Sequence, residues 1–297
     1  MTTNTTNTGR QERATFDDHP ASDARPLAGR RIAITRPREQ AAALARRLET
    51  LGARVTLLAA IRIAPLEDYA LFDAAIARLS DYDWLVFTSV NGVAAFAERL
   101  AATGHRWDER GLAQVAAIGP ATAAALERAG VPVALTPDEY VAEGILDGLG
   151  MVAGQRLLLA RADIARRTLA EGLRLRGAEV DEVAAYRTIP QPVAPELLAR
   201  ALGEAGAERV DAITFTSSST ALGLLQGLAA AGREPAEALR GVALAAIGPI
   251  TAATLREHGL EPAIVAQEYT IPGLTTALVA YFSGQSAPDD VASQGAE

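Results

Sequence analysis

Short apolar runs alternate with stretches in which apolar residues recur every three or four positions, from about residue 27 to about residue 282. The runs predict buried strands, and the spaced stretches predict amphipathic helices. In the first half, strands are predicted at Arg31–Thr35, Arg54–Ala59, Trp84–Phe87, Gln114–Ile118 and Val133–Leu135. In the second half, they are predicted at Arg156–Ala160, Glu179–Ala184, Ala212–Phe215, Val242–Ile247 and Ala263–Val265. Apolar strands separated by helices form covered parallel sheets, so we predict two doubly wound α/β domains of about five strands each.

The chain also contains an internal duplication. Residues 29–35, 51–55 and 59–65 resemble residues 154–160, 176–180 and 184–190, always at an offset of 125 positions. Phe-Thr-Ser recurs 128 positions later, and Ala-Ile-Gly-Pro and Glu-Tyr recur 129 positions later. A repeated unit of about 125 residues has the size of one domain. The duplication leaves open which half-units share a sheet. Two matched segments that end in proline, Ile61–Pro65 and Tyr186–Pro190, are candidate hinge strands between the domains.

Composition narrows the possible chemistry. The 297 residues carry a net charge of −8, contain no Cys, and include 28 basic residues that are all Arg. The absence of Lys excludes Schiff-base catalysis and a P-loop lysine, and the absence of Cys excludes thiolate catalysis, iron–sulfur clusters and disulfides. The three His residues have no metal-ligand spacing. An enzyme of this composition would rely on hydroxyls, carboxylates, Arg, Tyr or backbone amides.

Charge and hydropathy also bear on partners and location. The acidic balance argues against a nucleic-acid partner, and no apolar run has the length of about 18 residues that a membrane span needs. Residues 1–26 are polar and lack the apolar core of a signal peptide, so we expect a disordered tail and a cytoplasmic location. Residues 284–297 are small and polar, and we expect a flexible tail there.

Six of the predicted strands are followed by Ser or Thr hydroxyls, by a Gly-Pro turn or by Arg. Phe87-Thr88-Ser89 and Phe215-Thr216-Ser217 place hydroxyls there, two Gly-Pro turns are followed by Thr, and an Arg ends or follows two further strands. At any single helix start, Ser or Thr is more often only a cap. Six such ends in three matched pairs favour one shared anionic ligand, bound at the carboxyl edges by helix N-termini. The residues concerned are Arg36, Thr88, Ser89, Gly119, Thr122, Arg161, Ser217, Ser218, Gly248 and Thr251.

The order of these motifs resembles the uroporphyrinogen-III synthase family over about residues 27–282. The motifs are T-R-P, F-T-S-x-N-G, A-I-G-P-x-T, A-Y-R-T, F-T-S-S-S and a second A-I-G-P-x-T. The resemblance implies a discontinuous first domain (27–60 and 191–283), linker strands (61–65 and 186–190) and a second domain (66–185), with a cleft between the domains. It therefore favours exchanged half-units.

The resemblance also implies a reaction: hydroxymethylbilane is closed to uroporphyrinogen III with inversion of ring D and loss of water, through an azafulvene and a spiro-pyrrolenine. It implies neither a metal nor an organic cofactor. Tyr186 matches the family's Y-x-T motif and is predicted to assist departure of the hydroxyl. Thr122 and Thr251 match the G-x-x-T threonines, and Ser89, Ser217 and Ser218 match the hydroxyl loops; all are predicted to contact substrate carboxylates. The family is typically monomeric, so we expect a monomer, which could contact the preceding deaminase transiently.

Two other functions compete with this one. Synthase-like domains also occur in non-catalytic regulators fused to DNA-binding modules, and we expect no winged helix after Phe282 because only a short polar tail follows. A two-lobed binding protein for a small anion is the other alternative, and the missing signal-peptide core weighs against a periplasmic version.

Overall fold

The computed structural model describes residues 25–284 except residue 207, so the two predicted tails lie outside the described residues apart from residues 25, 26 and 284. Ten strands and eleven helices are present in this part of the chain. The strands are β1 Arg31–Ile34, β2 Arg54–Leu57, β3 Ile61–Ala64, β4 Trp84–Phe87, β5 Gln114–Ala117, β6 Arg156–Ala162, β7 Glu179–Pro190, β8 Ala212–Phe215, β9 Ala243–Ala246 and β10 Ile264–Val265. The helices are α1 Arg38–Thr50, α2 Ala70–Ile76, α3 Val90–Thr103, α4 Pro120–Arg128, α5 Ala142–Leu149, α6 Thr168–Leu175, α7 Pro195–Ala201, α8 Ser218–Ala230, α9 Pro235–Ala238, α10 Pro249–Glu257 and α11 Ile271–Ser283.

The strands form two five-stranded sheets, which confirms the predicted fold class. Sheet 1 has the order β2-β1-β8-β9-β10 and is parallel throughout. Sheet 2 has the order β3-β7-β6-β4-β5, and its strands are parallel except for β3, which runs antiparallel to β7. Sheet 1 therefore combines the beginning of the first repeat with the end of the second, and sheet 2 combines the remaining halves.

Apolar side chains on successive residues of each strand point to opposite faces of the sheet, and helices cover both faces. In sheet 1, Ile32 and Ile34 pack with Leu44 of α1, whereas Ala33 packs with Leu224 of α8. Two buried clusters belong to segments 27–60 and 198–282, and the other two belong to segment 72–186. None of these four clusters mixes residues of the two sets, so each sheet has its own core.

Strand β7 differs from its prediction. The sequence predicted one strand ending at Ala184 and a separate strand at Tyr186–Pro190, but the structure has a single strand of 12 residues. Its first part pairs parallel with β6, with a register shift after Arg161, and its end pairs antiparallel with β3. The strand changes partner without a break, which hydrophobic periodicity does not reveal.

The predicted strand Val133–Leu135 is shorter in the structure than in the sequence analysis. Its backbone meets β5 at one isolated bridge, between Leu135 and Ala116. Two successive amides, of Ala134 and Leu135, share the carbonyl of Val115, so a regular ladder does not continue.

In the described part of the chain, no helix is both long and apolar enough to cross a membrane.

Candidate functional site

The carboxyl edges of the two sheets face each other, and side chains from both meet between them. Gln40 of α1, which follows a strand of sheet 1, donates from Nε2 to Oδ1 of Asn91, in the first turn of α3 beside sheet 2, at 2.7 Å. The rings of Tyr140 and Tyr269 meet edge to face with their centres 6.5 Å apart. The two carboxyl edges are therefore joined by a hydrogen bond and an aromatic contact.

Tyr186 lies at the carboxyl edge of sheet 2 with only 7% of its surface exposed. Its hydroxyl is 3.0 Å from Oγ of Ser89, which caps α3 and accepts the backbone N–H of Gly92 at 3.0 Å. The cap bond fixes Ser89, since one lone pair of its oxygen is already used. A buried phenol is thus held against a hydroxyl that the helix start orients.

Burial sets the acidity of this phenol. The pKa of Tyr186 is raised, chiefly because burial disfavours the charged phenolate, while the neighbouring Ser89, Asn91 and Arg161 act to lower it and Asp163 acts to raise it. The group therefore stays protonated at neutral pH and can donate a hydrogen bond or a proton. This behaviour is compatible with the predicted role at a departing hydroxyl.

Arg36 and Arg161, a matched pair in the sequence analysis, differ in the structure. Arg36 is half-buried and donates to the backbone carbonyl and the side-chain Oε1 of Gln40, at 3.2 and 3.3 Å. Burial lowers its pKa, and among the described residues no carboxylate pairs with it. A partly desolvated guanidinium without a counter-ion is suited to an incoming carboxylate.

Arg161 is instead used within the protein. Its guanidinium donates to Glu182 at 2.8 Å and to the carbonyl of Arg166 at 3.0 Å, and only 7% of the residue is exposed. The charge of Arg161 is therefore largely neutralised in place. Beside Tyr186, the charge of Arg161 acts to lower the pKa of that phenol.

The two Gly-Pro turns have the same construction. Gly119 and Gly248 precede α4 and α10 with extended backbone, and each glycine lies under the ring of a tyrosine. A Cβ added at Gly119 would meet the ring of Tyr140 at 3.1 Å, and one added at Gly248 would meet Tyr269 at 2.9 Å. Glycine at these positions therefore lets Tyr140 and Tyr269 lie against the turns, where a larger residue would collide with them.

The threonines that follow these turns are buried, with 4% exposure for Thr122 and 3% for Thr251. No hydrogen bond between described residues uses either hydroxyl, in contrast to Thr214, which donates to the carbonyl of Ala33 at 3.0 Å. The two hydroxyl oxygens themselves are not fully buried, so both remain accessible to the atoms of a ligand.

Most of the remaining candidate hydroxyls form hydrogen bonds at the start of α8. Ser217 caps that helix by accepting the N–H of Thr220 at 3.3 Å, and its Oγ is 2.8 Å from that of Ser219. Ser218 accepts from Thr254 at 2.7 Å. Thr88 is half-buried beside Ser89. The capping interpretation therefore accounts for much of this loop, and Ser217 and Ser218 remain predictions as ligand contacts.

Four residues at the meeting of the two edges were not among the sequence candidates: Gln40, Asn91, Tyr140 and Tyr269. Asn91 stood inside the F-T-S-x-N-G motif, and the two tyrosines were the matched Glu-Tyr positions of the repeat. The internal repeat could therefore have identified the two tyrosines as candidate site residues. No signal marked Gln40, whose partner lies 51 positions away. No group of His, Asp and Glu in the described residues could hold a metal ion.

Comparisons with known proteins agree on one family. The family model for uroporphyrinogen-III synthase HemD matches residues 42–276. A uroporphyrinogen-III synthase of Synechococcus elongatus is 35% identical over 256 residues, which cover 85% of this chain and 96% of that protein.

Solved structures agree on the fold. A mutant uroporphyrinogen III synthase of the extremely thermophilic bacterium Thermus thermophilus aligns with a TM-score of 0.61 at 24% identity, covering 86% of this chain and all of that one. A uroporphyrinogen-III synthetase of Helicobacter pylori aligns with a TM-score of 0.53 at 18% identity, covering 84% of this chain and 99% of that one.

Proposed function

Because the chain belongs to the uroporphyrinogen-III synthase family, whose members are cyclising lyases, we propose that it closes hydroxymethylbilane to uroporphyrinogen III with inversion of ring D and loss of water. The observation that carries the proposal is the buried phenol of Tyr186, hydrogen-bonded to the helix-capping Ser89 at the carboxyl edge of sheet 2. The cleft edges offer polar donors and a guanidinium, which suit a substrate with eight carboxylates.

Tyr186 is the proposed acid. As the C–O bond of the hydroxymethyl group breaks, its electron pair stays on oxygen, and the phenol proton completes the departing water. The substituted α-carbon of ring D attacks the azafulvene cation left behind and forms a spiro-pyrrolenine. The bond from that carbon to the bridge between rings C and D then breaks, and the bridging carbon bonds to the unsubstituted α-carbon of ring D. That α-carbon loses its hydrogen as a proton, which returns the phenolate to the phenol, so the enzyme regains its starting state. The phenol is protonated at neutral pH and can supply this proton, and Ser89, Asn91 and Arg161, which act to lower its pKa, favour the proton's release.

Arg36 is the proposed anchor for a substrate carboxylate, since its half-buried charge has no acidic partner among the described residues. Backbone N–H groups at the starts of α3, α4, α8 and α10 are proposed to bind further carboxylates, with Thr88, Ser89, Gly119, Thr122, Ser217, Ser218, Gly248 and Thr251 around them. Arg161 contributes through its field at Tyr186 rather than by direct contact. A net charge of −8 repels the substrate at long range, so these local donors must supply the affinity.

Orientation is the main catalytic task in this proposal. The free bilane closes without inverting ring D, so the protein must hold one conformation in which the substituted carbon of ring D is nearest the cation. The Gln40–Asn91 and Tyr140–Tyr269 contacts hold the two edges together around the substrate. Closure also limits access of water, which would otherwise trap the cation.

Domain division and assembly complete the proposal. We assign residues 27–60 and 191–283 to the first domain, 66–185 to the second and 61–65 and 186–190 to the linker; the separate apolar cores support this division. We also propose a monomer in the cytoplasm that meets the preceding deaminase only transiently. Gel filtration with light scattering tests whether the protein is a monomer. Mixing the protein with the deaminase and measuring whether a complex forms tests the contact.

One experiment tests the function. The protein is incubated with enzymatically generated hydroxymethylbilane, the products are oxidised, and the porphyrin isomers are separated. We expect isomer III, whereas a sample without protein gives isomer I. Isomer I alone, at a rate no faster than that blank, would overturn the proposal.

A further inference from the structure

Strand β7 carries one extra residue where it passes the end of β6. The last residue of β6, Ala162, pairs with Tyr186, and the register skips Ala185. Ala185 and Tyr186 are adjacent and both join the same apolar cluster, although successive residues of a regular strand point to opposite faces. A bulge of this kind redirects a side chain. It therefore sets the direction of the Tyr186 side chain at the carboxyl edge of sheet 2.

Asp163 continues the ladder directly after this bulge. Its backbone N–H donates to the carbonyl of Tyr186 at 3.0 Å. In a regular parallel ladder, the backbone carbonyl of Asp163 would then accept the N–H of Thr188. The side-chain Oδ1 of Asp163 accepts that N–H instead, at 2.9 Å. One residue therefore binds β7 on both sides of Arg187, once through its main chain and once through its carboxylate.

These two bonds are made at the point where β7 leaves sheet 2. Strand β6 ends at Ala162, and among the described residues the part of β7 from Arg187 to Pro190 pairs only with β3, which runs antiparallel to it. Residues 186–190 and 61–65 form the proposed linker. Asp163 therefore makes the last attachment of β7 to the second domain, two residues after the proposed acid.

The internal repeat shows that this arrangement occurs in one copy only. At the offset of 125 positions, Asp163 corresponds to Arg38, and Tyr186 corresponds to Ile61. The first copy therefore has neither the carboxylate nor the phenol at these positions. The carboxylate is present in the copy that has a phenol to hold.

We propose that Asp163 is a positioning residue, whose two hydrogen bonds keep Tyr186 in place when the linker beyond it moves. The inference rests on the function proposed above and extends it. Ser89 holds the hydroxyl of Tyr186 at 3.0 Å and Asp163 holds its main chain, so the phenol is fixed at both ends. Without the carboxylate, movement of the linker would reach the phenol. A displacement of about 1 Å at a reacting group costs up to about a hundredfold in rate.

Two substitutions separate the hydrogen bond of Asp163 from its charge. Asp163→Asn keeps an oxygen acceptor and removes the charge, whereas Asp163→Ala removes both. The charge of Asp163 acts to raise the pKa of Tyr186, so a role of the charge would affect the two variants equally. A role of the hydrogen bond would affect only Asp163→Ala.

Asp83→Ala is the matched control. Asp83 makes the same two kinds of contact at the opposite, amino end of sheet 2: its N–H donates to the carbonyl of Arg156, and its Oδ2 accepts the N–H of Arg156, both at 2.8 Å. Asp83 and Asp163 are both exposed. Asp83→Ala should therefore lower the melting temperature about as much as Asp163→Ala does, without releasing Tyr186.

The first measurement needs no substrate. 3-Fluorotyrosine is incorporated only at position 186 and observed by ¹⁹F NMR. Loss of a fixed position broadens or splits the resonance, whereas loss of a nearby charge only shifts it. We expect a broadened or split resonance for Asp163→Ala, and a resonance as narrow as that of the unsubstituted protein for Asp163→Asn and Asp83→Ala.

Two outcomes of this measurement would overturn the inference. A resonance of Asp163→Ala as narrow as that of the unsubstituted protein would show that the phenol does not depend on Asp163. Equal broadening in Asp163→Asn would show that the acceptor does not hold the ring.

The second measurement uses the formation of isomer III. We expect Asp163→Ala to lower kcat about tenfold with KM changed less than about twofold, since the acid is displaced and the binding groups are not. Asp163→Asn and Asp83→Ala should keep kcat within about twofold of the unsubstituted protein. An equal loss of kcat in either of them would contradict the inference. If the unsubstituted protein forms no isomer III, the proposed function fails, and the ¹⁹F measurement still decides whether Asp163 positions Tyr186.

Discussion

The ring of Tyr140 meets the ring of Tyr269 at right angles, with 6.5 Å between the ring centres, although the two residues occupy equivalent places in the two repeats. Each ring also lies on the glycine of a Gly-Pro turn in its own domain. The duplication has therefore placed the same side chain on both sheet edges, and the two copies now contact each other.

This contact should strengthen binding of the product. An edge-to-face pair contributes about 0.5–1.5 kcal/mol beyond burial, so Tyr140→Leu or Tyr269→Leu should weaken uroporphyrinogen III binding about two- to tenfold in anaerobic calorimetry. The double variant should bind no worse than the weaker single variant, because either change removes the whole contact. Tyr281→Leu, on α11 beside Phe282, serves as the control and should leave binding unchanged. Additive losses from the two single changes would contradict the contact.

Tyr186→Phe should lower kcat about a hundredfold while KM stays within about twofold, because the variant keeps the ring and loses only the proton donor. Tyr82→Phe is the control, because it removes the hydroxyl of another buried tyrosine. The hydroxyl of Tyr82 donates to Asp181 at 2.6 Å, at the start of sheet 2 rather than at its carboxyl edge. We expect that control to lose about 1 kcal/mol of stability and no activity. Full turnover by Tyr186→Phe would exclude the phenol as the acid.

The unpartnered hydroxyls of Thr122 and Thr251 should bind ligand atoms. Thr251→Val and Thr122→Val should each weaken product binding about fivefold, as expected for one lost hydrogen bond, with little change in melting temperature. Thr214→Val reverses this pattern, since its hydroxyl is used inside the protein: stability should fall by about 1 kcal/mol and binding should stay the same. Unchanged binding in both cleft variants would place the substrate elsewhere.

Replacement by glutamine should affect binding at Arg36 and folding stability at Arg161. Arg36→Gln should weaken product binding about tenfold and reduce its dependence on salt concentration, because a charge-assisted contact is lost. Arg161→Gln should cost about 2 kcal/mol of unfolding free energy, since Glu182 loses its partner. Urea denaturation and calorimetry on both variants separate these effects. Equal losses of stability would show that Arg36 is also structural.

Strand positions were predictable because the apolar runs are short and clearly bounded. Trp84–Phe87 and Ala212–Phe215 have the predicted ends. The pairing of strands was not predictable from periodicity, because the residues of an apolar strand do not identify the strand that lies beside it. Only the family resemblance favoured the exchange of half-units, and the continuous β7 was missed because its change of partner occurs within an uninterrupted extended chain.

The candidate site was predictable in its residue types and only partly in their use. Sequence placed Arg36 and Arg161 in equivalent loops, and nothing in either loop distinguished them. The difference comes from Glu182, which lies on the neighbouring strand and reaches Arg161 only after the sheet has formed. Gln40 was missed for the same reason, since its contact with Asn91 depends on how the two domains close.

The exchange of strands between the sheets fixes an order of events during synthesis. All strands of sheet 2 are available once residue 190 has left the ribosome, whereas sheet 1 then has only β1 and β2. The pairing edge of β1 must wait for β8, which begins at Ala212, and an unpaired strand edge is a site of misassembly. The nascent chain therefore carries its first two strands as an incomplete sheet for most of translation, and the second domain is complete before the first.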